Sequence, residues 1–204
     1  MNAMKIIRYV AWALCGAAGI LLGVVAFQAI EQGTDTGRKI GEAGRFGAPF
    51  TLVRQDGEAV TDALFRERPS LVYFGFTFCP DVCPTTLNDM TIWADELGAD
   101  ADRVNYVFVT VDPERDTPEA MKNYIDAFSN RIVGITGEAE AVRAMVRSYK
   151  VYFSRVPLDG GGYTMDHTAA VYMLDSDGDF AGTIAYGAAP EEALEKIRKL
   201  LGKS

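Results

Sequence analysis

The feature that most restricts the fold is a dense apolar and aromatic run from Leu71 to Phe76, followed closely by helical spacing. Such a run is typical of a strand that is buried on both faces. From about Pro84 to Leu97, apolar side chains then recur at the spacing of one helix face. A buried strand leading into an amphipathic helix predicts an α/β domain.

The rest of the chain continues this alternation. We predict further strands at 50–53, 104–111, 132–135, 169–174 and 180–186, and further helices at 117–128, 138–149 and 190–201. The last two strands form a hairpin across Asp175–Asp179, and Gly160–Gly162 form a flexible loop. From residue 71 the order βαβα…ββα is that of the thioredoxin fold, with a helix and a loop inserted at about 132–166.

The N-terminal segment is expected to cross a membrane. Tyr9–Ile30 contains no charged residue, and about 20 apolar residues suffice for a spanning helix. A cleaved signal peptide, the alternative, has a shorter apolar core. Lys5 and Arg8 precede the segment, which predicts a cytoplasmic N-terminus. We expect an N-terminus and single transmembrane helix at 1–30, a linker at 31–48, and a periplasmic thioredoxin-like domain at 49–204 on a bacterial inner membrane.

The charge balance excludes one class of partner. The chain has 20 Lys and Arg against 28 Asp and Glu, a net charge of −8. Nucleic-acid binding requires a basic surface, so no nucleic-acid partner is expected. One anchor and one domain make a monomer the default expectation.

Two of the three cysteines occupy a position suited to chemistry. Cys15 lies in the apolar N-terminal segment and is expected to act as a small apolar residue. Cys79 and Cys83 come directly after the buried strand and before the helix. A helix N-terminus stabilises the thiolate, which binds metals and attacks disulfides. With the helix starting near Pro84, both sulfurs are expected on the exposed turn in front of it.

The spacing of these cysteines leaves two kinds of chemistry open. Three residues separate them, and this spacing can close a disulfide or hold an ion between the sulfurs. Two thiolates are soft ligands suited to Cu(I), and an added imidazole suits copper in either oxidation state. Metal binding and thiol–disulfide exchange are therefore both compatible with the motif.

His167 is the single histidine of the chain. It follows the flexible glycine loop and directly precedes the predicted strand at 169–174. In the thioredoxin fold the loop before this strand packs against the cysteine motif, so fold analogy makes His167 a candidate third ligand. Asp81 and Asp166 flank the candidate ligands and could add an oxygen ligand or a supporting hydrogen bond.

Asp112–Pro118 is a second polar stretch with two interpretations. Asp112 ends a buried strand, at the edge where ligands gather in α/β sheets, so it could contact a partner or tune a site. A tight turn followed by a helix capped at Thr117 is the favoured interpretation.

Three motifs together resemble the Sco/SenC family of copper-binding cytochrome c oxidase assembly factors. They are residues 73–84 (YFGFTFCPDVCP), residues 109–118 (VTVDPERDTP), and Asp166-His167 followed by residues 170–174 (AVYML). The resemblance implies one copper ion, Cu(I) or Cu(II), on Cys79, Cys83 and His167. It also implies delivery to the binuclear copper site of cytochrome c oxidase subunit II and an upstream copper donor.

Two functions from different classes follow. The first is a copper metallochaperone, a binding protein that is not an enzyme. The second is a thiol–disulfide oxidoreductase in which Cys79 and Cys83 reduce the copper-ligand cysteines of subunit II. The two functions differ in whether they require His167, because dithiol exchange requires no imidazole. A peroxidase, faintly suggested by Thr77 before Cys79, fits the two-cysteine motif less well.

Overall fold

The strands and helices follow the predicted alternation. A computed structural model describes residues 46–202 of the chain. Its strands are β1 (Thr51–Arg54), β2 (Ala59–Thr61), β3 (Ser70–Gly75), β4 (Asn105–Thr110), β5 (Ile132–Thr136), β6 (Phe153–Pro157), β7 (Tyr163–His167), β8 (Ala170–Leu174) and β9 (Phe180–Ala185). Its α-helices are α1 (Val82–Leu97), α2 (Pro118–Ile125), α3 (Ala139–Ser148) and α4 (Pro190–Leu201), with short 3-10 helices at Asp62–Arg66 and Gly98–Arg103.

A seven-stranded mixed sheet forms the centre of the domain. Its order is β2-β1-β5-β4-β3-β8-β9. β3 pairs in parallel with β4 and antiparallel with β8, and β8 and β9 form the predicted hairpin. All six residues of β3 are buried, so both faces of the sheet are covered at this strand. The predicted α/β class and the buried central strand are confirmed.

The helices begin where local chemistry favours it. The Thr117 side chain accepts a hydrogen bond from the Ala120 N–H at 3.2 Å, and Pro118 is the first residue of α2. The predicted turn and cap are therefore confirmed at this position. α1 begins at Val82, two residues before the predicted start at Pro84. Proline is tolerated in the first helical turn because the N–H that it lacks has no partner there.

The apolar helix faces build the core. The predicted face of α1 is buried throughout: Leu87, Met90, Trp93, Ala94 and Leu97. α1 packs against α4, α2 against β5, and α3 against β1. Burial of these faces at about 25 cal/mol per Å² is the main term that stabilises the domain. It also fixes the end of β3 and the start of α1, where the two cysteines lie.

The inserted region differs from the prediction. It contains β5, which joins the central sheet, then α3, and then a hairpin in place of the expected loop. β6 and β7 form a separate two-stranded sheet in which Phe153 pairs with His167. Most residues of β6 are exposed, so no alternation of apolar side chains marks it as a strand. Gly161 and Gly162 have positive φ angles in the connecting turn, as glycine allows.

The predicted transmembrane helix at 1–30 lies outside the described residues. Within residues 46–202, no helix is both long and apolar enough to span a bilayer. Phe46–Ala48, at the end of the predicted linker, contact the domain: the Phe46 ring is 4.4 Å from that of Phe180, and the Gly47 N–H donates to the Ser148 carbonyl at 3.1 Å.

Candidate metal centre

Three donor atoms meet beyond the C-terminal end of β3. Cys79, Cys83 and His167 each offer one atom, and these atoms all lie within 4.8 Å of one another. The Cys83 sulfur is 3.5 Å from Nε2 of His167, although 84 positions separate the two residues in the chain. Both cysteines are free thiols. The structure therefore brings together the three residues that the sequence indicates as candidate ligands.

The loop after β3 and the first turn of α1 position the two cysteines. The Cys79 N–H donates to the Phe76 carbonyl at 3.3 Å. The Cys83 N–H donates to the Cys79 sulfur at 3.4 Å, so this sulfur accepts a hydrogen bond from the exposed end of the helix. Cys83 is fully buried and Cys79 is half-buried. The prediction of an exposed position was wrong for Cys83, because α1 begins at Val82 and includes it.

The two thiols are electrostatically unequal. The hydrogen bond that Cys83 donates lowers the pKa of Cys79 to about 4, and backbone N–H groups at the helix start add to this, although partial burial opposes it. The pKa of Cys83 is raised because its thiol donates that hydrogen bond and because it is buried. The metal-free reduced pair therefore holds one thiolate and one thiol at neutral pH. Metal binding to both sulfurs releases the remaining proton.

Close packing surrounds the Cys83 sulfur. The buried Tyr73 hydroxyl donates to it at 3.6 Å, and burial raises the pKa of Tyr73, which keeps it a donor. A Cβ atom on Gly75 would lie 2.8 Å from the sulfur and 2.8 Å from the Phe108 ring. Since ordinary contacts begin near 3.5 Å, only glycine fits at position 75 with Cys83 where it is.

His167 presents one ring nitrogen to the cysteines. Its Nδ1 lies 3.2 Å from the Thr168 carbonyl. A carbonyl can only accept, so Nδ1 carries a proton, and Nε2 is the ring nitrogen that faces the cysteines. The edges of two aromatic rings, Tyr73 at 6.0 Å and Phe76 at 5.8 Å between centroids, enclose the imidazole. This is the usual arrangement of a metal-ligating histidine.

Asp116 holds the loop between β3 and Cys79 in place through hydrogen bonds. Its fully buried carboxylate accepts hydrogen bonds from the Thr77 N–H at 3.1 Å, from the Thr77 hydroxyl at 2.6 Å and from the Thr110 hydroxyl at 2.6 Å. The Thr136 hydroxyl donates to its backbone carbonyl at 2.6 Å. Burial raises the pKa of Asp116. Asp116 thereby fixes the ends of two strands, β4 through Thr110 and β5 through Thr136, to Thr77, which lies two positions before Cys79.

Asp112 connects the central sheet to the β6–β7 hairpin. Its side chain is 2% exposed and accepts hydrogen bonds from the Tyr163 hydroxyl, at 2.9 Å, and from Nε of Arg115. Its backbone carbonyl accepts from the Asp116 N–H at 3.0 Å, as the predicted tight turn requires. Asp112 is thus part of that turn, and its side chain also holds the strand that carries His167.

The two flanking carboxylates stay apart from the three donors. Asp81 and Asp166 are both exposed. Among residues 46–202, the donor group that could hold a metal ion contains the two cysteines and the histidine, without either carboxylate. Cys15 lies outside the described residues.

The donor set fits a soft metal ion. Thiolate and imidazole donors lie about 2.0–2.3 Å from an ion such as zinc, so two of them on a common ion are at most about 4.6 Å apart. The separations here, within 4.8 Å, require only small movements to meet that limit. Two sulfurs and one imidazole nitrogen favour copper among the first-row metals in a site of this kind.

Sequence reasoning missed the residues that support these donors. Tyr73, Gly75, Arg115 and Asp116 all lie within the three motifs, but their residue types alone indicated no role. A signal was present: Thr110 and Asp116 are polar residues close to the end of a buried strand, and a buried polar group requires a partner. The identity of that partner, Thr77, depends on how β3 and β4 pair.

The fold and the donor set define a thioredoxin-like domain in which two thiols at a helix start meet an imidazole from a separate hairpin. The chain belongs to the SCO1/SenC family, whose sequence model matches residues 38–202. An SCO2-like protein of Rickettsia conorii is 35% identical over 156 residues, which are 76% of each chain. The human mitochondrial SCO1 homolog is 42% identical over 137 residues, which cover 66% of this chain and 46% of that protein.

Solved structures share the fold. The copper-bound structure of Bradyrhizobium japonicum ScoI is 44% identical and matches with a TM-score of 0.71, over 76% of this chain and 99% of that chain. BsSco, described as a member of the Sco family of cytochrome c oxidase assembly proteins, is 22% identical and has the same fold, with a TM-score of 0.62 over 79% of this chain and 96% of that one.

Proposed function

We propose that this protein is a copper metallochaperone that holds one copper ion on Cys79, Cys83 and His167. It would serve assembly of the binuclear copper site of cytochrome c oxidase subunit II, after receiving its copper from an upstream donor. The observation that carries the proposal is the convergence of three donor atoms within 4.8 Å in the reduced protein. The copper-bound state of a 44% identical relative supports it.

Different residues of the site would hold copper and begin its release. Buried Cys83 is fixed by its surroundings, whereas Cys79 and His167 are half-buried and Cys79 can be reached by an incoming ligand. Copper is the cargo, and exchange of ligands with the acceptor would begin at the accessible Cys79 sulfur. Its low pKa keeps this sulfur a thiolate, the form that binds copper.

A titration of the full chain, purified in mild detergent and kept reduced without oxygen, tests this proposal. We expect one copper per chain, with binding lost or strongly weakened in Cys79→Ser, Cys83→Ser and His167→Ala. Asp166→Asn is the matched control, because this exposed neighbour of His167 lies outside the donor group. Unchanged affinity of His167→Ala for both copper states would rule out the three-ligand site.

One observation favours a second candidate, a thiol–disulfide reductase. The more accessible thiol has the lower pKa, as an attacking cysteine requires. The Cys79 thiolate would attack an acceptor disulfide and form a mixed disulfide. Cys83, after losing its proton, would then attack Cys79, leaving a Cys79–Cys83 disulfide and two acceptor thiols. Two electrons pass to the acceptor, and reduction of a model disulfide by His167→Ala at the wild-type rate would favour this function.

We propose further that residues 1–30 anchor the chain in the bacterial inner membrane with the domain in the periplasm. The charge-free segment Tyr9–Ile30 and the preceding Lys5 and Arg8 support this topology. The chain should remain in membranes after alkaline extraction. Protease added to spheroplasts should digest the domain. Release of the protein by alkali, or full protection from protease, would contradict the proposal.

A further inference from the structure

The strand that carries His167 is held to the core by side chains such as Met165 and not by pairing with the central sheet. β7 belongs to a two-stranded sheet separate from the central sheet, and its turn contains three consecutive glycines at which an added Cβ atom would meet nothing within 4 Å. Alternate residues of a strand share a face, so Tyr163 and His167 lie on the same face of β7. Contacts that hold Tyr163 against the domain therefore also hold His167 close to the cysteines.

Arg115 makes this connection. Its guanidinium carbon lies 3.9 Å from the centroid of the Tyr163 ring and 4.6 Å from that of Phe78, the residue before Cys79. Its Nη1 donates to the Tyr163 carbonyl at 3.1 Å, and its Nε donates to Asp112. One side chain thus contacts both the loop that carries Cys79 and the strand that carries His167.

We propose that Arg115 is a positioning residue of the metal site, which holds the His167 strand in register with the Cys79 loop. This role deepens the proposed copper binding and rests on it. Arginine suits the position because its planar guanidinium can stack on two rings while it donates hydrogen bonds in its own plane. Lysine would keep the charge beside Asp112 but would lose the stacking.

The ion pair between Arg115 and Asp112 supports the same role. Asp112 is 2% exposed, and a buried carboxylate requires a cationic partner or hydrogen-bond donors. Arg115 and the Tyr163 hydroxyl supply them, which closes a ring of contacts among the three residues. Loss of Arg115 would leave Asp112 held by Tyr163 alone and would free the Phe78 ring, which is 60% exposed.

Copper affinity provides the first test. The variants are Arg115→Gln and Arg115→Lys in the full chain, measured by competition with a chromophoric Cu(I) chelator. We expect Arg115→Gln to weaken binding about 10–100-fold, as for other residues that orient a metal ligand. Arg143→Gln is the matched control, because Arg143 also pairs with acidic side chains near this hairpin but contacts neither ring.

A double-mutant cycle separates positioning from general stabilisation. If Arg115 acts through His167, Arg115→Gln should change affinity less than about twofold when His167 is already alanine. An equal loss in both backgrounds would overturn the proposal. Phe78→Leu serves as a second variant in case Arg115→Gln fails to fold, because Phe78 is an exposed ring. It should reproduce part of the loss of copper affinity. Unchanged affinity in Phe78→Leu would also count against the proposal.

A second measurement needs no copper. His167 is the only histidine, so its imidazole gives a single set of NMR signals in the reduced, metal-free chain. Arg115→Gln should shift or broaden these signals, whereas Arg143→Gln should not. Unchanged signals would refute the positioning role. If the wild-type chain bound no copper at all, the proposed function would fail, yet the NMR result would still decide whether Arg115 positions His167.

Discussion

Gly75→Ala is the smallest change that should separate the packing of the metal site from the stability of the fold. Gly75 ends β3, and the added methyl group would lie 2.8 Å from both the Cys83 sulfur and the Phe108 ring, and 3.1 Å from the Tyr73 ring. Optimal separations are about 3.5–4.0 Å, so the Cys83 sulfur and the Phe108 ring must retreat by about 0.7–1.2 Å and the Tyr73 ring by about 0.4–0.9 Å. All three are fully buried, so none has open space to enter.

The expected change in the stability of Gly75→Ala has two parts. Overpacking of a core costs about 1–3 kcal/mol, and replacing glycine by alanine recovers about 0.4–1 kcal/mol from the unfolded chain. We therefore expect a net loss of about 1–2 kcal/mol, or about 2–8 °C in Tm for a domain of this size. Ligands must be held within about 0.5 Å of their productive position, so copper affinity should fall about 10–100-fold.

Two other glycines supply matched controls for this variant. Gly134→Ala would clash with Ile125 and Met121 in the core, at α2 rather than at the cysteines. It should lower Tm without changing copper affinity. Gly160→Ala would meet nothing within 4 Å and should change neither. Thermal unfolding and anaerobic chelator competition measure the two quantities. Wild-type affinity in a folded Gly75→Ala protein would refute the argument that close packing at Gly75 sets the position of Cys83.

Three further predictions concern single groups of the site. Tyr73→Phe removes the hydroxyl that donates to Cys83. It should lower the free energy of unfolding in urea by about 0.5–1.5 kcal/mol and weaken copper binding. Unchanged copper affinity would exclude a role for the hydroxyl. Burial raises the pKa of Asp116, so its contribution to stability is greatest below its unfolded pKa of about 3.9 and is lost as pH rises through the folded pKa. The stability of the wild type relative to Asp116→Asn should therefore decrease as the pH rises above about 3.9, and a difference that grew with pH would contradict this prediction. With the pKa of Cys79 lowered to about 4, iodoacetamide at about pH 6 should modify Cys79 before Cys83 in the reduced apo protein, as peptide mass spectrometry would report; equal modification would contradict the assigned asymmetry.

The order of elements could be read from the chain because it depends on local patterns. The apolar run at 71–76 and the apolar face of α1 leave few alternatives for that segment. Thr117 and Pro118 mark the start of α2 through chemistry within one turn. The position of Cys79 between a buried strand and a helix follows from the same patterns, whereas Cys83 lies in the first turn of that helix.

Other features lacked a local signal. The start of α1 was placed two residues late, because proline is also allowed inside the first turn. The β6–β7 hairpin was missed because its residues are exposed or half-buried. Tertiary contacts hold it in place: Phe153 and Met165 pack against the core, and Tyr163 contacts Arg115 and Asp112. Asp116 accepts four hydrogen bonds, from the ends of β4 and β5 and from the loop after β3, and only the assembled sheet brings these donors together.

The sequence by itself determined the α/β class, the order of strands and helices, and the chemical types of the three donors, because periodicity, capping and residue identity are properties of short segments. Tertiary structure alone decided that His167 reaches Cys83 across 84 positions, that Cys83 is buried while Cys79 remains accessible, and that Arg115 lies between their two segments. The reason is that distances between remote residues depend on strand pairing and core packing, which no short segment contains.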